Sequence, residues 1–414
     1  MRWTGFVLSS SNGLEKYPKL RFKDFSEPWK SVRIGDVYAE RSERGAEDME
    51  LLSVTMNDGV KMRSDIEGKD NSSEDKSNYK IVLAGDMVYN SMRMWQGANG
   101  ISPWDGIVSP AYTILKPRIP ISNGFFAALF KTHRLINEFR KNSQGMTSDT
   151  WNLKYPQIET IKTCIPALDE QEKIAEFLMS LDQRIEKQRT LVEHLKKYKR
   201  GVSEQLFEQI KAKSAQHAFS SVFVLLQNNT FSRELLTNDE TEIQNIHYGD
   251  VLIKYGSCVN IDMEDVPYIK SDAPADKFAP ESYLMSGDIV IADTAEDYTV
   301  GKATEIINPS NKKILSGLHT IPCRPVMSFA PMFMGYYLNS SSFRSRIMPL
   351  IQGTKVSSIG KAQLMKTTVY IPPIDEQKRI ADLLYAIDTK IKLLSETADK
   401  MIQLKSAMLQ QLFI

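Results

Sequence analysis

The chain has 414 residues, 42% of them apolar and 25% charged, and lysine plus arginine exceed aspartate plus glutamate by one. This length and composition are typical of two or three folded domains, and near neutrality argues against a purely electrostatic binder of nucleic acid. No run of about 18 apolar residues occurs, which argues against a membrane-spanning segment. The three widely spaced cysteines are typical of reduced thiols in a cytosol.

The first globular stretch follows a short leader. Residues 1–17 lack a hydrophobic period, which predicts a disordered leader. From Pro18 to Ile165, apolar runs alternate with turn residues, as expected for a domain of strands and short helices. The predicted elements are a turn that leads into a strand at Ile34–Val37, strand-turn-strand patterns at Val82–Tyr89 and Ile107–Leu115, a helix at Phe125–Phe139 and a strand at Thr160–Pro166.

A stretch of 39 residues then occurs twice, as Asp169–Phe207 and Asp375–Phe413, and the two copies align without a gap at an offset of 206. In each copy apolar residues recur at alternating spacings of three and four, which is typical of a coiled-coil seam. Each helix would be about 60 Å long, and packing one copy on the other would bury both seams. Asp169 and Asp375 are the expected N-caps. The predicted seam residues are Ile174, Leu178, Leu181, Ile185 and Leu195 in the first copy, and Ile380, Leu384, Ile387, Ile391 and Leu404 in the second.

The pattern of the first globular stretch returns between the two helices. The basic, polar segment Glu208–His217 predicts a linker, after which Gly249–Val251 echoes Gly35–Val37 and Ser286–Ile291 echoes Ala84–Tyr89. Loops between the shared landmarks differ in nearly every polar residue, as a reader of two unlike targets would require. Further predicted elements are a helix at Pro331–Ile347, a glycine loop at Leu350–Ser357 that corresponds to Asn142–Ser148, and a strand at Thr367–Ile371.

We therefore divide the chain into alternating globular and helical parts. The predicted boundaries are a leader at 1–17, a first domain at 18–165, a first helical spacer at 166–213, a second domain at 214–372 and a second helical spacer at 373–414.

The junction between domain and helix has the same motif in both halves. Ile165–Gln171 reads Ile-Pro-Ala-Leu-Asp-Glu-Gln and Ile371–Gln377 reads Ile-Pro-Pro-Ile-Asp-Glu-Gln. With the Gly-Asp turns and the Gln-Gly loops, these junctions make the chain from about Pro18 to Ile414 resemble the specificity (S) subunits of type I restriction-modification systems. Ala167 stands where that family usually has a second proline, and the leader has no counterpart in the resemblance.

The resemblance implies an α+β (mixed α/β) fold with internal pseudo-twofold symmetry. Two target-recognition domains would each be followed by a long helix, and the helices would pack as an antiparallel coiled coil. Each domain would read one half of a bipartite, asymmetric site in double-stranded DNA, with the helix pair setting the gap between the halves.

The resemblance also implies partners and a location. The helix pair would dock two methyltransferase (modification) subunits that methylate adenine, and in some systems two restriction subunits join. S-adenosylmethionine would belong to the methyltransferase, and ATP and Mg to the restriction subunit, so that this chain would hold no cofactor. The expected location is the cytoplasm of a bacterium or archaeon.

Sequence readout requires amide and cationic side chains at base edges, with further polar groups on phosphates. In the first domain the candidates are Lys61, Arg63, Arg93, Trp95, Gln96, Asn99, Gln144, Thr147 and Asn152. In the second domain they are Lys254, Tyr255, Lys302, His319, Gln352, Thr354 and Lys355. The alternative is that these stretches are solvated loops, with Trp95 packed into the core.

Motifs of catalysis are absent from the sequence. It has no Asn/Asp-Pro-Pro-aromatic quartet and no glycine-rich cofactor loop, and its five histidines lack metal-like spacing, so we predict a non-catalytic chain without a metal site. Two alternatives stay open. A coiled-coil scaffold with two protein-binding modules would have no affinity for DNA, whereas a self-sufficient nuclease or methyltransferase would be active alone.

Overall fold

The computed structural model describes residues 6–8, 17–45, 48–56, 59–70, 72–148, 150–273, 278–310, 312–353 and 355–413. The chain forms two compact units: unit 1 comprises Met1–Arg189 with Glu396–Ile414, and unit 2 comprises Thr190–Ser395. Each unit therefore contains a globular part and one segment of each long helix.

Unit 1 is built on a four-stranded antiparallel sheet. The strands of the whole unit are β1 Phe6–Leu8, β2 Leu20–Phe22, β3 Lys30–Arg33, β4 Tyr38–Arg41, β5 Leu52–Thr55, β6 Gly59–Met62, β7 Lys80–Val82, β8 Met87–Asn90, β9 Asn99–Ile101, β10 Gly106–Val108, β11 Tyr112–Pro117 and β12 Lys162–Ile165. The helices of unit 1 are α1 Ile34–Val37, α2 Asn123–Leu129, α3 His133–Asn142, α4 Tyr155–Ile158, the first part of α5 Leu168–Lys213 and the last part of α11 Ile374–Leu412.

The sheet of unit 1, ordered β4-β11-β8-β9, is covered on both faces. Alternate residues of a strand point to opposite faces, and in β8 Met87 and Tyr89 join the core with α2 and α3, whereas Val88 packs with the β5–β6 hairpin. β3 pairs with β12, which brings the start of the domain beside the strand that precedes α5.

Unit 2 repeats this plan around a five-stranded sheet, ordered β14-β23-β19-β21-β17. The strands of the whole unit are β13 Ala215–Ala218, β14 Phe223–Leu225, β15 Leu236–Thr237, β16 Ile243–Ile246, β17 Cys258–Asn260, β18 Tyr268–Ile269, β19 Ile289–Ala292, β20 Thr294–Ala295, β21 Ala303–Ile307, β22 Lys313–Ser316, β23 Thr320–Pro325, β24 Ser357–Ser358 and β25 Thr368–Ile371. The helices of unit 2 are the last part of α5, α6 Phe219–Val222, α7 Tyr248–Ile253, α8 Phe333–Leu338, α9 Ser341–Ile347, α10 Lys361–Met365 and the first part of α11 Ile374–Leu412.

The central strand β19 of unit 2 corresponds to β8 of unit 1. Ile289 and Ile291 face the core shared with the long helices, and Val290 faces a second core on the opposite side of the sheet. β13 pairs with β25 as β3 pairs with β12. The internal repeat of the sequence is therefore a repeat of structure.

The two long helices are antiparallel. In unit 1, Leu178 of α5 shares a core with Leu412 of α11. In unit 2, Phe207 near the end of α5 shares a core with Ile380 near the start of α11. The start of each helix thus meets the end of the other, and the predicted fold class is confirmed.

An ion pair crosses between the helices in each unit. Lys405 Nζ lies 2.5 Å from Asp182 Oδ1 in unit 1, and Lys199 Nζ lies 2.6 Å from Asp388 Oδ1 in unit 2. The two aspartates differ in number by 206, as do the two lysines, so the pairs are equivalent under the internal repeat.

The glutamine of each Asp-Glu-Gln motif fastens the helix start to the globular part. Gln171 donates its amide N–H to the carbonyl of the proline five residues earlier (3.0 Å) and accepts the N–H of Ser122 (3.1 Å). Gln377 makes the same two bonds, at 2.9 Å to its proline and 3.0 Å from Ala330. Both glutamines are buried, which explains why the motif recurs.

Most of the predicted seam is buried. Ile174, Leu178, Leu181, Ile185, Ile380, Leu384 and Ile387 are buried, and Leu195 and Ile391 are partly buried. Leu404 is instead 45% exposed. The next residue, Lys405, occupies the seam position and reaches Asp182, so the seam lies one residue later there than the 3/4 spacing predicts.

Several element boundaries differ from the predictions. α5 continues to Lys213 with a Lys211–Glu208 pair on its last turns, so the linker predicted at Glu208–His217 is wrong. Asp169 and Asp375 lie within the first helical turn, not at the N-cap. Ile34–Val37 forms a single helical turn before β4.

Each predicted short helix is in fact two helices. Phe125–Phe139 is divided between α2 and α3 because Thr132 caps α3, its hydroxyl accepting the N–H of Leu135 at 3.4 Å. Ser340 likewise caps α9 and divides Pro331–Ile347. In the leader, Phe6–Leu8 pairs with Leu20–Phe22, and the prediction of disorder for residues 1–5 and 9–16 lies outside the described residues.

Candidate nucleic-acid interface

In unit 1 the structure brings together the two loops singled out in the sequence. The edge of the Trp95 ring meets Trp151, with 5.2 Å between ring centroids. The Leu153 N–H donates to the carbonyl of Ser91 at 2.9 Å. The loop after β8 and the loop after α3 therefore form one surface.

We call residues 144–152 of unit 1 and 352–358 of unit 2 the Gln-Gly loops. Gln144 and Asn152 close the first loop by exchanging two backbone hydrogen bonds (2.9 and 2.8 Å), and Gln352 and Ser358 close the second in the same way (2.9 and 2.7 Å). In each unit these backbone bonds hold the two ends of the Gln-Gly loop together.

Both loops require glycine at the second position. Gly145 has φ +145° and Gly353 has φ +109°, a region that other residues rarely adopt. A Cβ on Gly145 would lie 2.6 Å from the Thr150 carbonyl oxygen, and a Cβ on Gly353 would collide with the carbonyl of Val356.

The side chains displayed in unit 1 are varied in chemistry. Arg93, Gln144 and Thr147 are exposed, and Met146 at the loop tip is 99% exposed. The Arg140 guanidinium lies over the Trp151 ring, 5.6 Å from its centroid. Cationic, amide, hydroxyl and apolar groups on one surface are what contacts to phosphates and base edges use.

Three further candidates in unit 1 are partly buried at this surface. Trp95 donates its indole N–H to the carbonyl of Met92 at 3.1 Å, and Gln96 and Asn152 are half-buried. Trp95 is therefore partly buried against a second loop and does not lie in the core.

Other first-domain candidates lie elsewhere in unit 1. Asn99 has no exposed surface, because it lies in β9 within the sheet, and it must be withdrawn as a contact residue. Arg63 donates to the carbonyls of Ile66, Gly68 and Lys69, so it holds its own loop. Lys61 lies half-buried in β6.

In unit 2 the Gln-Gly loop is joined to the loop after β19. The Ile359 N–H donates to the Asp293 carbonyl at 2.9 Å, and β20 pairs with β24. His319 lies beside them, with Nδ1 3.5 Å from an oxygen of Asp293 and its ring edge-on to Tyr248. His319 and Gln352 therefore lie on one surface, and Lys355 is exposed in the same loop.

The remaining second-domain candidates are held by the protein itself. Tyr255 is 2% exposed, and burial raises the pKa of its hydroxyl. Lys254 donates to the carbonyl of Asp265. Lys302 donates to the carbonyl of Leu252 at 2.7 Å, and burial lowers the pKa of its ammonium. Thr354 lies outside the described residues.

Several residues at these surfaces were not predicted. Ser358 occupies the position of Asn152 at the repeat offset of 206, so the repeat itself was the signal that could have identified it. Arg140 and Tyr248 carried no such signal, because their roles depend on which loops meet in the fold.

Two features are absent from the described part of the chain. Its histidines, cysteines and carboxylates do not form groups of three or more that could hold a metal ion. None of its helices combines the length and apolar run needed to cross a bilayer.

Comparison with known proteins connects this architecture to one family. The sequence profile of the type I restriction modification DNA specificity domain matches residues 26–196 and 242–402. The type I restriction enzyme MjaVIII specificity subunit of Methanocaldococcus jannaschii is 24% identical over 315 residues, which is 72% of each chain.

Solved structures share the fold. The S subunit of a type I restriction-modification system from M. genitalium has a TM-score of 0.55 at 13% identity, with 96% of this chain and 99% of that chain covered. A chain from a structural study of complex assembly and conformational transition in a type I system has a TM-score of 0.56 at 16% identity, with 94% and 99% covered. The resemblance noted in the sequence is confirmed, and since the two profile matches cover most of the chain, this protein belongs to the family of type I restriction-modification DNA specificity subunits.

Proposed function

We propose that this chain reads a bipartite, asymmetric DNA site, with one half read by each unit. The observation that carries the proposal is the repeated Gln-Gly loop, closed by the same backbone bonds in both units but carrying different side chains. Met146 and Thr147 occupy the first loop, and Lys355 and Val356 occupy the second. A shared base with unlike tips suits the recognition of two different short sequences.

The gap between the half-sites would be set by α5 and α11. Two ion pairs and a buried seam support a fixed register of one helix on the other. Exposed apolar side chains on these helices, among them Leu191, Tyr198 and Leu383, are the kind of surface that a protein partner covers. We assign that role to two methyltransferase subunits, with restriction subunits joining in some assemblies.

The chemistry would belong to those partners. A methyltransferase would flip the target adenine out of the stack and transfer a methyl group from S-adenosylmethionine, and a restriction subunit would use ATP and Mg. This chain would supply DNA recognition without catalysis, in the cytoplasm of a bacterium or archaeon.

The proposal is tested with the purified complex and duplexes in which the gap between half-sites is lengthened or shortened by one base pair. Methylation should occur at one gap length and fall steeply at the others, and this chain alone with S-adenosylmethionine should methylate nothing. Equal methylation at every gap, or of one continuous block, would contradict the bipartite reading. Absence of DNA binding by the complex would instead favour a protein scaffold.

A further inference from the structure

Unit 2 contains a cleft between α5, α9 and the loop that precedes β21. It consists of two adjoining cavities of about 460 and 340 Å³ that share Lys199, Ser257 and Asn339 as walls. Ser340 and Ser341 line the larger cavity.

Cationic side chains dominate this cleft. They are Lys196, Lys199, Arg200, Lys302 and Arg344, and the one carboxylate among the lining residues is Glu204. Lys196 is paired with Glu193, and Lys199 with Asp388. The other three cations share the cleft with one lining carboxylate, and Asp297 acts electrostatically on Arg344.

Lys302 and Arg344 are cations held by neutral groups. Lys302 donates to one backbone carbonyl, and Arg344 donates to the carbonyls of Tyr298 (2.6 Å) and Val300 (3.2 Å). Burial lowers the pKa of both groups, and the positive charge of Arg344 lowers that of Lys302 further. The carboxylate of Asp297 opposes this effect at Arg344, because its negative charge raises the pKa of the guanidinium. Both side chains are partly buried, and a partly buried cation whose hydrogen-bond partners are neutral carbonyls gains stabilisation when an anion binds beside it.

The charge is not required by the repeated scaffold. At the offset of 206, Lys196 and Arg200 of α5 correspond to Ile402 and Ser406 of α11. The ion pairs between the helices are kept in both copies, whereas these two cations occur in one. A structural role shared by both halves therefore does not explain them.

The cleft adjoins the surface assigned to DNA reading. One loop, 293–302, is tied to the Gln-Gly loop by Asp293 at its start, and its end supplies Tyr298, Thr299 and Lys302 to the cleft. We propose that the cleft binds phosphate groups of the DNA backbone beside the half-site read by unit 2. These contacts increase the affinity for DNA without distinguishing base sequences. This rests on the function proposed above.

The test replaces cations singly and together in the full-length chain bound to its methyltransferase. Arg200→Gln removes an exposed cation, and Lys302→Met keeps the aliphatic stem. Lys211→Gln, on the same helix outside the cleft and paired with Glu208, is the matched control. Affinity for a duplex carrying the recognised motif, and for a scrambled duplex, is measured between about 50 and 300 mM salt.

Each cleft substitution should make the log–log salt dependence shallower by about 0.9 and weaken binding roughly five- to tenfold at about 100 mM salt. Motif and scrambled DNA should lose affinity equally, and Lys211→Gln should match the unaltered chain. If Lys302→Met prevents folding, Arg200→Gln alone decides.

Three results would overturn the proposal. The first is a salt slope unchanged from the control. The second is loss of the methyltransferase on co-purification with an unchanged slope, which would make the cleft a protein-docking surface. The third is that inorganic phosphate stabilises the chain against unfolding, and that Arg200→Gln abolishes this effect but leaves the affinity for DNA unchanged. That result would indicate a site for a free anion. Failure of the proposed DNA recognition would be seen separately, because the unaltered complex would then bind the motif duplex and the scrambled duplex equally.

Discussion

Glu305 is the buried carboxylate with the clearest consequence in unit 2. It lies in β21 and accepts the N–H groups of Met332 (2.6 Å) and Gly335 (2.9 Å) at the first turn of α8. Burial raises its pKa to about 7, although these bonds favour the ionised form. The N-terminus of α8 thus depends on a group that titrates near neutrality.

This geometry predicts a pH dependence of stability. Between pH 4.5 and 7 the folded chain keeps a proton that the unfolded chain releases, so stability falls as pH rises through that window. The loss should be about 3 kcal/mol and complete above pH 7. Glu305→Gln should remove the part of the pH dependence that this carboxyl group causes. Urea unfolding of both proteins at pH 5 and pH 8 would measure the change. The exposed Glu296→Gln is the control, and a difference between variant and unaltered chain that does not change with pH would refute the assignment.

A second prediction at this scale concerns the glutamine of the Asp-Glu-Gln motif. Gln171→Ala would remove two hydrogen bonds and leave the N–H of Ser122 and the Pro166 carbonyl unpaired. We expect a loss of about 2–4 kcal/mol in the free energy of unfolding, seen as a lower urea midpoint. Gln183→Ala, exposed on the same helix, should change it by less than about 0.5 kcal/mol. Equal midpoints for the two variants would be the opposing result.

Among the structural elements, the Gln-Gly loops connect backbone geometry to function. Gly353→Ala would place a Cβ against the carbonyl of Val356 at a positive φ, so the loop must change shape. Because the loop is exposed, the unfolding midpoint should move little, while methylation by the reconstituted complex should fall at least about tenfold.

Gly201 supplies the control for that variant. It lies within α5 with nothing near its Cβ position, so Gly201→Ala should stabilise the helix by about 1 kcal/mol and leave methylation unchanged. Full activity of Gly353→Ala would show that the loop does not touch DNA.

The helix pair yields a prediction about register. Asp182→Lys would place a second ammonium group beside that of Lys405. Because both positions are partly exposed, the free energy of unfolding should fall by about 1 kcal/mol or less. The charge-swapped variant Asp182→Lys with Lys405→Asp should recover most of that loss in a urea double-mutant cycle. Glu186→Lys, exposed on the same helix, serves as control. A swap that recovers nothing would mean the pair does not set the register.

At the scale of the whole molecule, the long-range plan was readable from the sequence. The offset of 206 predicted both long helices and the return of the same domain, because heptad spacing and turn glycines are local signals. The same logic failed at Leu404, where a lysine holds the seam position, and at Glu208–His217, where no proline or glycine ends the helix.

The surface residues could be predicted only in part. Arg93, Gln144, Thr147, His319, Gln352 and Lys355 lie on the two loop surfaces, since polar residues in glycine-rich loops tend to be displayed. Asn99 was misplaced because its burial depends on a strand pairing that composition does not reveal. The contact of Trp95 with Trp151 joins residues far apart in sequence, and no local pattern announces it.

Genome-wide mapping of N6-methyladenine in the host, with and without this gene, tests the central claim most directly. Deletion should erase methylation at one motif, composed of two short specific halves around a fixed unspecified gap, and restoring the gene should return it. A Gly353→Ala gene should fail to restore that motif. An unchanged methylation map while the partner methyltransferase is expressed, or loss of a motif with a single continuous block, would contradict a two-unit reader of DNA.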